Sequence, residues 1–535
     1  GYRVNNSCEQ VNGTLKLNYA SSQNKNLYIK TNFNYENSNA TYTGLTQWSF
    51  DNNPKFNPKE DDNFKVFRTG IDIIETERIS SKLSQTTTAF ASFFDRRWWR
   101  ENDIFILATD INNQNPTAQP YYSSGNLIRT GNGQNNFGIL RTFYVLGLEK
   151  SYSLRHKLFG FNSTTELGAR LYWERFIDDK KTGAMPDSRE GIYFIPAASE
   201  EESPEIVGQS HHYETTALSA FVSESIEMGS LTLRPGVRLE IFEQERVDRL
   251  AGSIYQDKTI FVALPGIGFI KSFSGMSLFG GIHRGFTPPS SGALKIVNFG
   301  MNIEENGLDL EAEQSWNKEI GVRGEFSILD YELAGYHINI DNLVAAGRGT
   351  AFKNLGKVIS QGLEFRALIN LSSLIGLLPN IHIAYSFLDT EVIDGVIVSN
   401  VSGTYGSEVS IKGKKLPYSP QNTLTVGMES NLIENISIRM DFRYVSKVYT
   451  DFENITFTDN LGVIGPVPSY NLINLSANYQ ISDTIQLFLS GKNITDNIYI
   501  GSRLHSNPGQ KNANISSGII PGARRQINLG INYNF

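Results

Sequence analysis

The chain has one cysteine, Cys8, in 535 residues. A lone thiol excludes an internal disulfide and any CxxC metal or redox site. Long apolar runs are missing too: no stretch of about 18 apolar residues occurs, which excludes a membrane-spanning helix. The opening residues GYRVNNSCEQ hold neither a basic nor an apolar segment and do not read as a signal peptide. HExxH, GxxxxGK[ST] and GxSxG are all absent, and no nucleophile–base constellation emerges, so the chain is not expected to be an enzyme. The net charge of −7 argues against nucleic acid as a partner. A mean hydropathy of −0.28 would suggest soluble domains. A β-barrel escapes that inference, because its strands are only half apolar and its loops are polar.

Alternation is what the chain does have. Its last nine residues, INLGINYNF (527–535), place Ile527, Leu529, Ile531, Tyr533 and Phe535 on one face of a strand and Asn528, Gly530, Asn532 and Asn534 on the other. Strand-like stretches recur throughout, near 13–20, 26–37, 64–80, 87–105, 141–154, 164–177, 214–228, 231–245, 259–273 and 276–286. They continue near 315–327, 329–342, 358–371, 380–390, 422–432, 436–448, 470–480, 485–499 and 524–535, roughly 19 in all. Short connections such as EMGS (227–230), FSGM (273–276) and SILD (327–330) alternate with long ones such as 38–63, 106–140, 178–213 and 287–314. Short turns at one end and long loops at the other are the arrangement of a bacterial membrane barrel. The expected fold is therefore all-β, a transmembrane antiparallel barrel with long extracellular loops and short periplasmic turns.

Facing follows from parity. Ile436, Ile438, Met440, Phe442 and Tyr444 share one face; Ser437, Arg439, Asp441 and Arg443 share the other. The first set fits lipid and the second a wet lumen. Trp98, Trp99, Trp173 and Trp316 fall at the loop-proximal strand ends, where an aromatic belt is expected. If the last strand ends in the periplasm, the first visible strand runs downward. About 19 of an expected 22 strands would then be present, with an open seam where three belong; barrels of that size are plugged transporters.

Several segments resemble TonB-dependent outer-membrane receptors, and more narrowly the ferric dicitrate type. They are FTPPSSGALK (286–295), LEAEQSWNKEIGVRGEF (310–326), LGKVISQGLEFRALI (355–369), LFLSGKNITDNIYI (487–500) and GIIPGARRQINLGINYNF (518–535). YTGLTQWSFDNNPKFNPKEDDNFKVFRT (42–69) and FFDRRWWRENDIF (93–105) add to the narrower match. The resemblance implies that residues 1–535 are the barrel domain, without the N-terminal plug, TonB-contacting motif and signal peptide of such receptors. It further implies an outer-membrane location, a monomer amid lipid and lipopolysaccharide, and energy supplied by TonB–ExbB–ExbD through the missing N-terminal part. The cargo would be an anionic iron chelate, ferric citrate first, with no cofactor.

Carboxylate-rich chelates call for guanidinium groups, which offer planar forks of donors and keep their charge. Alternation turns Arg141, Arg170 and Arg238 toward the lumen, and the resemblance implies that similar arginines touch ligand. All three are expected to converge on the outer mouth, although Glu149, Glu166 and Glu240 share those faces and are alternative partners. Gln361 and Asn514 join them on loop position in family-like segments. His211 and His212 read as a solvated loop pair. Other readings are a receptor for a different siderophore, with Tyr121 and Tyr122 stacking on a catecholate, and a passive porin or surface-binding barrel.

Overall fold

The computed structural model describes residues 2–41, 43–107, 127–193, 209–250, 252–288, 312–345, 353–354, 356–399, 407–433, 435–459, 462–504 and 518–534. Nineteen long strands form one sheet. They are β1 (Cys8–Ser22), β2 (Lys25–Ser38), β3 (Asn63–Arg78), β4 (Leu83–Leu107), β5 (Leu127–Leu158), β6 (Phe161–Gly183), β7 (Gln209–Met228), β8 (Leu231–Asp248), β9 (Ser253–Phe273) and β10 (Met276–Thr287). There follow β11 (Glu313–Phe326), β12 (Leu329–Asp341), β13 (Lys357–Ile369), β14 (Asn380–Asp394), β15 (Asn422–Ile433), β16 (Ile436–Val445), β17 (Tyr470–Gln480), β18 (Ile485–Lys492) and β19 (Gln526–Tyr533). Each pairs antiparallel with its chain neighbours, an uninterrupted meander.

Turns at one end are tight because the backbone there enters the left-handed region that suits a hairpin. Phe159 and Gly160 take φ of 52° and 88°, Gly229 65°, Gly275 75° and Ser327 54°. The strands outrun their sequence-based limits on the loop side. β5 begins at Leu127 rather than near 141, and β4 and β6 lengthen with it. The added stretch contains GNGQNN (131–136), whose two faces are both polar and hide the period of two.

The registers carry one lumen face and one outer face across the sheet. Between β11 and β14 the outer face shows apolar rows: Val322, Leu333, Phe365 and Tyr385, then Ile320, Gly335, Leu363 and Phe387. One step nearer the loops the row turns polar, with Lys318, His337, Gln361 and Asp389. That switch marks the outer boundary of the apolar belt. Trp173 and Trp316 lie on the outer face, as expected of a belt. Trp98 does not: it shares the lumen face with Arg96 and Arg100, whose guanidinium carbons lie 5.9 and 5.4 Å from its ring centroid. Consecutive residues of a strand point to opposite faces, so Trp98 and Trp99 never had a common side. Trp99, only 2% exposed, packs above the belt against Gly138 and Gly191.

With 19 strands, β1 and β19 run in the same direction, and among the described residues no ladder joins them. Loops bridge the gap instead. Leu45 and Ile519 exchange backbone hydrogen bonds of 2.6 and 2.9 Å, so the segment after β2 meets the segment before β19. Around them Val448, Val467 and Ile500 form a buried core. Arg524 holds Asp496 at 2.5 Å and lies 5.6 Å from the ring centroid of Tyr2, a second link between chain ends. A separate loop core of Ile397, Ile411 and Phe452 sits on the lumen-facing Val358 and Val392.

Ile519 is fully buried, so Ile519→Ala is expected to cost about 2–5 kcal/mol. The cost should appear as a lower denaturant midpoint of the loop core and faster proteolysis of residues 39–62, with the sheet signal of the wall unchanged. An unaltered midpoint would mean that the bridge contributes no stability.

Candidate functional site

The upper lumen wall is built from cross-strand rows on β3–β8. One row runs Arg68, Phe94, Phe143, Phe176, Tyr213, Arg246. Its rings stack across neighbouring strands, with centroids 5.4 Å apart for Phe94–Phe143, 4.3 Å for Phe143–Phe176 and 5.4 Å for Phe176–Tyr213. The next row toward the loops runs Arg96, Arg141, Asp178, His211, Asp248. Arg141 donates from Nε to Asp178 at 3.0 Å, and its guanidinium lies 5.5 Å from the Phe176 ring centroid. The ring ladder thus holds the guanidinium from below while Asp178, almost wholly buried, fixes it from the side.

Arg96 stands directly opposite Arg141. Like charges facing across a ladder are destabilising, and the buried Nε of Arg96 has no hydrogen-bond partner among the described residues. Arg96 is a lumen residue beyond those expected above, though alternation in FFDRRWWREND places residues 94, 96, 98 and 100 on one face. The adjacent Arg97, turned the other way and bonded to Asp95, masked it.

Arg170 and Arg238 lie far below. Opposite Arg170 on β5 is Glu149, eight positions from Arg141, roughly 26 Å along the strand. Arg238 is one row lower again, facing Phe221. These two come together around Ser219, which pairs with Arg170 on β6 and Glu240 on β8. Arg238 donates to Ser219 Oγ at 2.7 Å and to Glu240. The guanidinium of Arg170 sits 5.0 and 5.1 Å from the ring centroids of Phe90 and Tyr172, and its buried Nε is unpartnered among the described residues. The expected convergence of three arginines on the outer mouth is therefore corrected. All three face the lumen, but register divides them into an upper site (Arg96, Arg141) and a lower one (Arg170, Arg238).

Gln361 is not in a loop. It lies in β13, turned to the outer face with Leu363, and its Oε1 is 3.1 Å from His337 Nδ1. Loop position was the wrong guide: the strand-like stretch at 358–371 already contains this residue, and alternation with Leu363 turns it outward. Asn514, Tyr121 and Tyr122 lie outside the described residues. His211 and His212 belong to β7 rather than to a loop: His211 is buried on the lumen face between Asp178 and Asp248, and His212 approaches Glu245 at 3.9 Å. Among the described residues no group of three potential metal ligands occurs. Cys8 is a free, exposed thiol at the start of β1.

Above the belt, acidic groups cluster under the loops. Lys59 Nζ donates to the Glu101 carbonyl at 2.5 Å, and the Glu101 amide donates to Asp62 at 2.8 Å. Burial, then the carboxylates of Asp61 and Asp62, push the Glu101 carboxyl up to about 7. The folded state thus keeps a proton that the unfolded chain releases above its ordinary value of 4.5, so stability should fall as pH rises from about 4.5 to 7. Glu101→Gln should flatten that slope in unfolding midpoints measured at pH 5 and pH 8. An unchanged slope would exclude this carboxyl as the source.

Comparison with known proteins agrees with this architecture. Residues 10–494 match the family described as TonB dependent receptor-like, beta-barrel. The ferrioxamine B receptor of Salmonella typhimurium (strain SL1344) is 26% identical over 210 residues, taking in 37% of this chain and 26% of that receptor. The chain therefore spans about a quarter of the curated relative it matches. The unliganded ferric citrate transporter FecA superposes with a TM-score of 0.75 at 19% identity, covering 99% of this chain and 70% of that one. The siderophore receptor PiuA from Acinetobacter baumannii gives 0.73 at 15% identity, over 99% and 75%. At such identities the likeness is one of fold. The family match, which spans most of the wall, carries the assignment: this chain belongs to the TonB-dependent receptor β-barrel family, whose members are outer-membrane proteins.

Proposed function

We propose that this barrel imports an anionic ferric chelate, ferric citrate first, across the outer membrane, driven by TonB with ExbB–ExbD. The observation that carries the reading is Arg96 opposite Arg141 in the upper lumen, like-charged side chains paired across the ladder with Asp178 beside Arg141. Holding like charges together costs stability, and a polycarboxylate chelate recovers it through charge-assisted, two-pronged hydrogen bonds. The fold is shared with a ferric citrate transporter and, almost equally, with a siderophore receptor, so the choice of cargo rests on the paired arginines. The lower pair, Arg170 and Arg238, lies too far away for one small chelate to touch both pairs. It serves as a second station on the inward path.

Alanine at Arg96 or Arg141 should weaken ferric citrate binding, titrated by calorimetry on the folded chain. The expected loss is about 1.5–3 kcal/mol each, or 10- to 150-fold. Alanine at Arg170 or Arg238 should leave the first binding event nearly intact and slow uptake. Unchanged affinity in both upper variants, with the barrel folded, would reduce these arginines to structural partners of Asp178 and the ring ladder. Preferential binding of an uncharged ferric chelate would overturn the choice of cargo.

A further inference from the structure

A groove of about 580 Å³ opens on the outside of the wall, across β11–β14, within the roughly 300–1,000 Å³ range of ligand sites. Its floor is Gly335. A side chain there would meet Leu363 Cδ2 at 3.3 Å, so the missing one leaves a dent in the sheet face. Ile320, Leu363 and Phe387 share the apolar row with Gly335 and line the dent. The next row forms the rim, with Lys318, His337 and Gln361. The groove therefore straddles the line where the outer face changes from apolar to polar, half in the belt and half above it.

The rim has a net charge. Asp389, in the same row, is bound by Lys415 at 2.5 Å. Among the described residues the ammonium of Lys318 remains as that row's uncompensated cation, beside the hydrogen-bonded His337 and Gln361. His337 is held on its other side by Asn339, Nε2 to Oδ1 3.0 Å, so the polar rim is fixed in place. An apolar trough continuous with the lipid-facing belt, topped by a fixed cation, complements an amphiphile with an anionic head.

We propose that this groove seats an acyl chain of an outer-leaflet lipid whose phosphate head carries net negative charge, with Lys318 and its two polar neighbours holding that head. The site rests on the lipid-facing side of this wall segment and is independent of which chelate the lumen carries. It also gives Gln361 a role outside the lumen.

The test is native mass spectrometry of the folded chain, incubated with phosphatidic acid or with phosphatidylcholine of the same acyl chains. The unaltered chain should retain one phosphatidic acid about fivefold more strongly than phosphatidylcholine, the worth of one cation near a lipid head. Lys318→Gln should abolish that preference while still retaining either lipid. Gly335→Leu fills the dent and should lose both. If that variant fails to fold, Leu363→Asp, which places a charge on the groove wall, replaces it. Equal retention of the two lipids by the unaltered chain would overturn the proposal, as would retention unchanged by both substitutions. Ferric citrate titration of Lys318→Gln should match the unaltered chain, so failure of the lumen reading would be visible separately.

Discussion

In hydrocarbon a backbone amide has no water to turn to, so every N–H and C=O within the belt must pair with a neighbouring strand. This constraint sets the rest of the molecule. It forces an unbroken meander of antiparallel ladders, and it fixes the facing of every residue once one is known, because side chains alternate with a period of two. The same chain can then offer lipid an apolar wall and the lumen a charged one. Where the ladders stop, at the edges of β1 and β19, the loops take over. The Leu45–Ile519 exchange and its surrounding core tie the two ends together on the outer side, where water is available and the constraint is relaxed.

Register, rather than facing alone, decides what the lumen can bind. Arginines on one face at similar distances from their loops can still differ by many rows, because the strands differ in length and stagger. That is how Arg141 and Arg170, on adjacent strands, come to lie eight rungs apart while Arg96 and Arg141 meet directly. The stacked rings of Phe94, Phe143, Phe176 and Tyr213 form the floor of the upper site, with the Arg141 guanidinium resting on Phe176. Like-charge crowding of this kind is costly in a purely structural wall and useful in one that must capture an anion.

Much of this was legible from residues alone. The closing strand shows its facing in every residue from Ile527 to Tyr533, and the inward turn of Arg439, Asp441 and Arg443 is as alternation required. Hairpins were marked by Gly229, Gly275 and Ser327. Stagger was not legible, because no single strand encodes its offset from the next, and the arginine convergence failed for that reason. Strand extensions above the belt were hidden as well. There both faces meet water or loops, the apolar half of the pattern disappears, and the histidine pair looks like part of a loop. The paired tryptophans misled by proximity: adjacency in sequence is opposition in a strand.

The central claim is that one continuous sheet separates lipid from lumen residue by residue, and a labelling scan along Ile436–Val445 tests it most directly. Single nitroxide labels at successive positions of the reconstituted chain would be measured for collision with oxygen and with a water-soluble nickel chelate. Labels at 436, 438, 440, 442 and 444 should favour oxygen, and labels at 437, 439, 441 and 443 the nickel chelate, in strict alternation. A smooth profile, or one repeating every three to four residues, would contradict the account.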